Sequence, residues 1–414
     1  LVGGLGCFGR PSRLSGLCRA GLAIFWNGRG RRGVRLTRRR GCVCHQSVLI
    51  AKNECCRCAS YDPKEQELTG YADPFFDTSR MNASTINVVG AGAFGSALAH
   101  VWCSSSAGEG HRVRLWCRDA AQVAALQARG DNIRVPGCPP LRGIEAGHWD
   151  DFAGTNDPND PAAIVVLAVK ARAQAAVFAS LRPHLHPDCT VVTVSKGFAD
   201  DQGRLLSEAV TPSSGLAVLS GPSFAADLFA DRPAALTLAH CSASKLAEAL
   251  SAPLLRLYPS ADPVGAQVCG ALKNVSAIAC GCADGMDLGA SARSALMTRG
   301  LREIERVIEA YGGDQRTATG LAGFGDLALT CQDAQSRNHW FGVQLGQGHQ
   351  ASDLLARGIT VEGALAAQGV LSGPRTQALD LPICQAVAHL VSGHLTPKDL
   401  MSRLLARRQA QDVG

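Results

Sequence analysis

The sequence predicts an α/β fold, with a doubly wound, mostly parallel sheet followed by an all-helical C-terminal domain. Three observations carry that expectation. A glycine-rich turn at 90–95 sits between a short β-branched run and a helical pattern. Apolar runs of strand length then alternate with helical segments as far as residue 258. From about Asp262 onward only helical patterns remain.

The first strand takes its β-branched residues from Ile86, Val88 and Val89, and Gly90, Gly92 and Gly95 then form G-x-G-x-x-G. Ala97, Leu98, Val101 and Trp102 follow at helical spacing. Each glycine has a task in a dinucleotide site. The first permits the tight turn, the second lets backbone approach a pyrophosphate, and the third lets helix and strand pack closely. The N–H groups that open the helix offer partial positive charge to the anion. Alone the motif is weak, but here it has the strand before and the helix after that a nucleotide site needs.

A second strand over 111–116 ends in Cys117, Arg118 and Asp119. In a Rossmann domain this end meets the adenosine ribose, where an acid suits a free 2′-hydroxyl and an arginine a 2′-phosphate. Both are present, so tolerance of either nicotinamide cofactor is expected; Asp119 reads equally well as a solvated strand end. A helix over 120–130 and a third strand over 163–169 follow, the strand near-continuously apolar as one covered on both faces should be. The pattern continues with a helix at 174–185, a strand at 190–195, a helix at 203–210 and a strand at 216–219 that runs into SGPSFA at 220–225. Further strands at 234–239 and 255–258 flank a helix at 244–250. Beyond them, helices are expected at 264–285, 291–311, 335–345, 361–369 and 383–391. Residues 81–262 therefore read as a dinucleotide-binding Rossmann domain and 263–405 as a helical substrate-binding domain. Packed at the carboxyl ends of the strands, the second would form the far wall of a cleft.

Charge and cysteine are unevenly spread. Residues 1–80 hold 14 of the 41 basic residues but 6 of the 35 acidic ones, so the other 334 residues are close to neutral, with 27 basic and 29 acidic. Neither a nucleic-acid partner nor a membrane surface is expected of that body, and its longest clean apolar run, 162–169, is far short of the ~20 residues that cross a bilayer. Seven of the 17 cysteines lie in the first 80 residues. The other ten sit singly in apolar runs, apart from Cys280 and Cys282, and read as free buried thiols of a reducing cytoplasm. No metal is expected.

Residues 1–80 have no readable periodicity and carry a basic run at 35–40. The apolar stretch at 47–51 is too short for a signal peptide. Cys42, Cys44, His45, Cys55, Cys56 and Cys58 match no tetrahedral metal spacing. The chain begins with Leu, and its first methionine, Met81, stands five residues before Ile86. The segment is expected to be an extension translated from upstream sequence, disordered in any structure. An organellar transit peptide is the alternative, since no acidic residue precedes Glu54.

Three constellations in the body bear chemistry. Lys196, in VSKGF, follows the fourth strand and so lies at the sheet's carboxyl edge. Lys273 and Asn274 form a polar pair inside a strongly apolar helix. Burying an ammonium costs several kcal/mol unless it is paired or partly wet, so Lys273 either reaches a helix edge or is functional. Asp326, in GFGDL, precedes Ser336, Arg337 and Asn338, a run of donors suited to a phosphate monoester or to a helix cap.

From Ile86 to about Arg403 the chain resembles the bacterial-type NAD(P)-dependent glycerol-3-phosphate dehydrogenases. The resemblance rests on GAGAFGSALA, SKGF, SGPSFA, GALKNVSAIACGCADGMDLGASARSALMTRGL, AGFGDLALTC and QSRNHWFG, in order and at fitting distances. It implies interconversion of dihydroxyacetone phosphate and sn-glycerol 3-phosphate with NAD or NADP, supply of the phospholipid backbone, and a homodimer. Ala93, Phe94, Arg118, Ala225, Thr360 and Glu362 would contact the cofactor, and Lys196 both cofactor and substrate. Gly221, Ser223, Asp326, Ser336, Arg337 and Asn338 would hold substrate, Arg337 also near the cofactor. Lys273 would be the acid/base, its pKa lowered by Lys196 and its geometry fixed by Asp326 and Asn274. The chain departs from the family pattern in four places. Ala93 replaces a hydroxyl residue, Lys170–Ala171 a Pro-Ser, and Thr360 a common Val, and the loop 104–110 is longer. A dehydrogenase of the same two-domain plan acting on a 3-hydroxy acid would separate its Lys and Asn by a helical turn. A silent nucleotide sensor would have lost Lys273, Asp326 or Arg337.

Overall fold

The computed structural model describes residues 22–26, 32–36, 85–104, 111–155, 160 and 163–405. The chain divides into two compact units, Leu1–Tyr71 and Ala72–Gly414. In the first, strands β1 (Leu22–Trp26) and β2 (Arg32–Leu36) pair antiparallel, with Leu22 opposite Leu36 and Trp26 opposite Arg32. The expectations for the rest of residues 1–80, the cysteine cluster at 42–58 among them, lie outside the described residues. So does the lengthened loop after Ser104.

The second unit begins with β3 (Thr85–Val89), α1 (Ala93–Ser104), β4 (Arg112–Cys117) and α2 (Ala120–Arg129). Asp119 caps α2 by accepting the Ala121 N–H, and Gly130 ends it in the left-handed region at φ 76°. Next come β5 (Glu145–His148), α3 (Phe152–Thr155), β6 (Ile164–Leu167), α4 (Gln174–Leu181) and β7 (Thr190–Thr193). They are followed by α5 (Leu206–Ala209), β8 (Leu216–Ser220), α6 (Ala225–Phe229), β9 (Ala234–Ala239), α7 (Ala243–Leu250) and β10 (Leu255–Ser260). The eight strands lie in the order β10-β9-β8-β7-β6-β3-β4-β5. All neighbours are parallel except β8 and β9. Strands are added outward from β3 to β4 and β5, and then on its other side from β6 onward, so the strand order reverses between β3 and β6, and in a doubly wound sheet ligand lies outside the strand ends at that point. β3, β6, β7 and β8 are buried because helices cover both faces, so their Ile, Val and Leu side chains pack into two separate cores.

The sheet ends at Ser260, and α8 (Pro263–Gly285) starts the helical half, capped by Asp262 with Pro263 in its first turn. Around it pack α9 (Gly289–Ala310), α10 (Asp326–Gln332), α11 (Arg337–Gly346) and α13 (Glu362–Ser372); α12 (Ala351–Ala356), α14 (Pro382–Val391) and α15 (Pro397–Leu405) complete the bundle. Every residue of α8 from Gly265 to Ala283 is buried, so this helix is the axis of the core. It meets α11 at backbone distance. A Cβ on Gly342 would stand 2.1 Å from the Ile278 carbonyl oxygen, and one on Gly281 2.1 Å from that of His339.

Several expected boundaries differ. β5 was not expected at all. Its sequence, EAGH, has no apolar run because it is a half-buried edge strand. The helix expected at 174–185 is α4 followed by a 3₁₀ turn at Arg182–His184, where Pro183 breaks the ladder. The helix expected at 203–210 shrinks to α5 because Gly203 takes φ 71°. The short helices α3, α6, α10, α12 and α15 were also not expected, and the first four are too brief for a periodicity to show. All ten cysteines of the described body are free, but Cys241 is exposed and Cys103 and Cys138 only half-buried.

Candidate functional site

The glycine turn is held by steric necessity and by side chains beneath it. Gly90 sits at φ 114°, where a Cβ would stand 2.7 Å from the Ala168 carbonyl oxygen. At Gly95 a Cβ would come 2.8 Å from that of Ala168, so the turn closes against the chain leaving β6. Under it, the Gln122 and Asn132 side-chain amides both donate to the Ala91 carbonyl, and Asn132 also donates to the Ser96 hydroxyl. In front of it the space is open, with no protein atom within 4 Å of where a Cβ on Gly92 would stand. Ala93, exposed, opens α1, which carries no acidic residue in its first turn. Open space, free N–H groups and no opposing charge fit a dinucleotide pyrophosphate. Ala225 begins α6, which packs on α1.

Arg118 lies exposed at the end of β4, and its carbonyl meets the His148 ring nitrogen at 3.1 Å. The neighbouring Asp119 is not a free ribose ligand. One oxygen caps α2, the other accepts the Arg134 guanidinium, and these contacts hold its carboxyl below the usual range.

Across the cleft, four polar side chains from both halves converge. Lys273, 5 % exposed on α8, donates to Asp326 Oδ1 at 2.5 Å and to the Thr330 hydroxyl at 2.8 Å. Lys196, just beyond β7, forms an ion pair with Asp326 Oδ2 at 2.7 Å and donates to the Gly221 carbonyl at 3.1 Å. Its ammonium also stands 6.0 Å from the centre of the Phe94 ring, which ties it to the glycine turn. Asp326 is buried because a π-helical turn at Leu321–Gly325 delivers it to the start of α10. Thr330 follows one turn later on the same face. Thr330 was missed in the sequence, although its spacing from Asp326 was there to be read.

Burial is the largest influence on the Lys273 amine; Asp326 opposes it, Lys196 adds to it, and the result is a pKa lowered to about 7. Like-charge repulsion from Lys196 is therefore a contributor, not the main cause. Asn274 does not touch the amine. Its side-chain oxygen accepts from Asn338 at 3.0 Å, and Asn338 in turn accepts the Gly363 N–H at 3.0 Å. Glu362 opens α13; burial raises its carboxyl, against the pull of Arg337, Lys273, Lys196 and Lys170. Thr360 accepts from Lys170 at 3.0 Å.

The phosphate-suited run is divided. Ser336 uses its hydroxyl oxygen to cap α11 through the His339 N–H. Arg337 is exposed and has no hydrogen-bond or ion-pair partner among the described residues. The Ser220 and Ser223 hydroxyls are buried without a partner, and that of Ser220 and the Lys196 side chain both lie within 4 Å of where a Cβ on Gly270 would stand. Lys170, Lys196, Phe198, Thr360, Glu362 and Ala366 line a cleft between the halves.

The comparisons agree with this layout. The family described as NAD-dependent glycerol-3-phosphate dehydrogenase matches in two parts, its N-terminal model over residues 85–247 and its C-terminal model over 262–402. A protein of Halorhodospira halophila named glycerol-3-phosphate dehydrogenase [NAD(P)+] is 42 % identical over 336 residues, 79 % of this chain and 97 % of its own. One of the same name from Methylobacterium radiotolerans is 42 % identical over 337 residues, 79 % of this chain and 98 % of its own. The crystal structure of glycerol-3-phosphate dehydrogenase from Coxiella burnetii superposes with a TM-score of 0.71 at 34 % identity, covering 78 % of this chain and 99 % of that one. Both halves, and the order in which they follow one another, are thus those of a single group, and the chain belongs to the NAD-dependent glycerol-3-phosphate dehydrogenase family.

Proposed function

We propose that this site interconverts dihydroxyacetone phosphate and sn-glycerol 3-phosphate, with Lys273 as the acid/base. The observation that carries the assignment is the buried Lys273–Asp326–Lys196 cluster, which joins the helical half to the sheet's carboxyl edge beside the glycine turn. NAD(P)H, held by Gly90, Gly92, Ala93, Phe94 and Gly95, supplies the hydride when bound. The chain's own residues do the rest. Reduction of the carbonyl develops negative charge on the substrate oxygen, which a protonated Lys273 stabilises and then neutralises by giving up its proton. In the reverse direction the neutral amine takes the hydroxyl proton. Asp326 anchors the amine, and Thr330 orients it from the other side. Lys196 adds positive charge where the oxyanion forms, and Arg337 and Asn338 bind the phosphate with Ser336, while the unpartnered Ser223 hydroxyl and Gly221 bind the rest of the substrate. Ala225, Arg118, Thr360 and Glu362 face the cofactor.

The product is the backbone of glycerophospholipids, so a cytoplasmic enzyme feeding lipid synthesis fits the reading. Among the described residues no helix is long and apolar enough to cross a membrane. The family resemblance supports a homodimer, which light scattering on the purified chain would test. The function itself is tested by mixing the chain with NADH or NADPH and dihydroxyacetone phosphate and following absorbance at 340 nm. Lys273→Met is expected to abolish turnover while cofactor binding stays within about threefold, because a transition-state proton donor contributes about 10²–10⁴ in rate. Near-normal turnover in that variant rejects the assignment.

A further inference from the structure

Two side chains 190 positions apart meet across the mouth of the cleft, where the Lys170 ammonium donates to the Thr360 hydroxyl at 3.0 Å. Both ends stand on firm ground. On the sheet side the Ala168 N–H donates to the Val89 carbonyl, and the Ser195 hydroxyl donates to that of Val169. Gln174 ties Ser195 to the Leu167 carbonyl as well. Ala168 is the residue against which Gly90 and Gly95 close, so Lys170 is two residues from the wall of the glycine turn. On the helical side Thr360 lies three residues before Gly363, which is joined through Asn338 to Asn274, the neighbour of Lys273. A pull on Thr360 is therefore a pull on the frame that carries the amine.

Resting on the dehydrogenase reading, we propose that Lys170 is a positioning residue whose hydrogen bond to Thr360 straps the loop ahead of α13 to the sheet and sets how tightly the cleft grips the cofactor. The bond is charge-assisted and exposed, strong enough to bias closure and weak enough to open for release.

Calorimetric titration with NADPH and with NADH, joined to stopped-flow release, tests the strap without relying on turnover. Lys170→Met and Thr360→Val are each expected to weaken cofactor binding about three- to tenfold through faster release. Combined, they should weaken it by less than about twice the larger single effect, because one bond is lost only once. Lys170→Arg, which keeps the donor, should bind within about twofold of the parent. Melting temperatures should stay within about 2 °C of the parent, as both groups are at the surface. Parent-like binding by Lys170→Met, or single effects that multiply in the double variant, overturns the strap. A loss of binding that tracks a fall in Tm also overturns it, marking a structural role. A parent chain that binds neither cofactor overturns the dehydrogenase reading, and the strap with it.

Discussion

Replacing Asp326 with asparagine keeps the outline of the side chain and removes one negative charge from between two ammonium groups. That carboxylate is 1 % exposed and lies 2.5 Å from Lys273 and 2.7 Å from Lys196. An opposite charge at such range moves a pKa by about 1–3 units. Lys273 titrates at about 7 with Asp326 in place, so without it the amine loses its proton about one to three pH units lower. In the proposed mechanism, reduction of dihydroxyacetone phosphate needs the protonated amine. Its kcat/KM at saturating cofactor is therefore flat at low pH and falls above the break, and in the variant the break moves to lower pH. Stability supplies a second reading. The unfolded chain holds the Lys273 proton up to its ordinary value of 10.5, whereas the folded chain releases it near 7. Between those limits the unfolded state binds more protons, so folding stability rises with pH and is lost as pH falls. Asp326→Asn extends that slope further into acid, by about 1.4 kcal/mol for each pH unit. Melting curves from about pH 5 to 8 should then show the variant falling progressively below the parent as pH drops. A break that stays within about half a unit of the parent's, with parallel melting curves, would refute the idea that Asp326 sets the charge of Lys273.

Two further substitutions separate the ends of the cleft. Arg337 has no partner among the described residues, and charge-assisted hydrogen bonds contribute about 1.5–3 kcal/mol each. Arg337→Ala should therefore raise the KM for dihydroxyacetone phosphate about 10–100-fold and that for the cofactor by less than about twofold; equal effects in steady-state kinetics count against a phosphate clamp. At the adenosine end Asp119 is engaged by α2 and Arg134, leaving Arg118 as the group to meet a 2′-phosphate. Arg118→Ala should raise the KM for NADPH at least about fivefold more than that for NADH; equal changes reject that assignment.

The sheet was legible because its strands are buried on both faces. Ile86–Val89, Ile164–Leu167 and Leu216–Leu219 have to be apolar nearly throughout, and a run of such residues at strand length between helical patterns has few other readings. β5 escaped because a half-exposed edge strand needs no such run. At the site, Lys273 was legible as a cation in apolar surroundings and Lys196 by its place at the sheet's carboxyl edge, but only the family resemblance tied Asp326 to Lys273. Asp326 lies 53 residues from Lys273, and only the packing of α10 on α8 brings the two together. Asn274 misled for a related reason. Adjacent to Lys273 in sequence, it points about 100° round the helix, toward Asn338. Neighbours along a helix do not share a face, and the residue that does share one with Asp326, Thr330, is four positions on.

Charge explains why these particular residues are gathered. Lys170, Lys196, Lys273 and Arg337 all pull on the Glu362 carboxyl, and Asp326 is the other carboxyl among them. With every group ionised, the cluster carries two positive charges in excess, the complement of a phosphate monoester dianion. Burial is what chiefly keeps the Lys273 amine at a low pKa, and Lys196 adds to it against Asp326. A dianion entering the cleft relieves that repulsion and raises the pKa of the amine. In the proposed mechanism, substrate binding is therefore expected to load onto Lys273 the proton that reduction consumes, seen as an upward shift of the Lys273 pKa when dihydroxyacetone phosphate is added. The same buried geometry that makes Lys273 costly to ionise makes its charge responsive to what binds beside it.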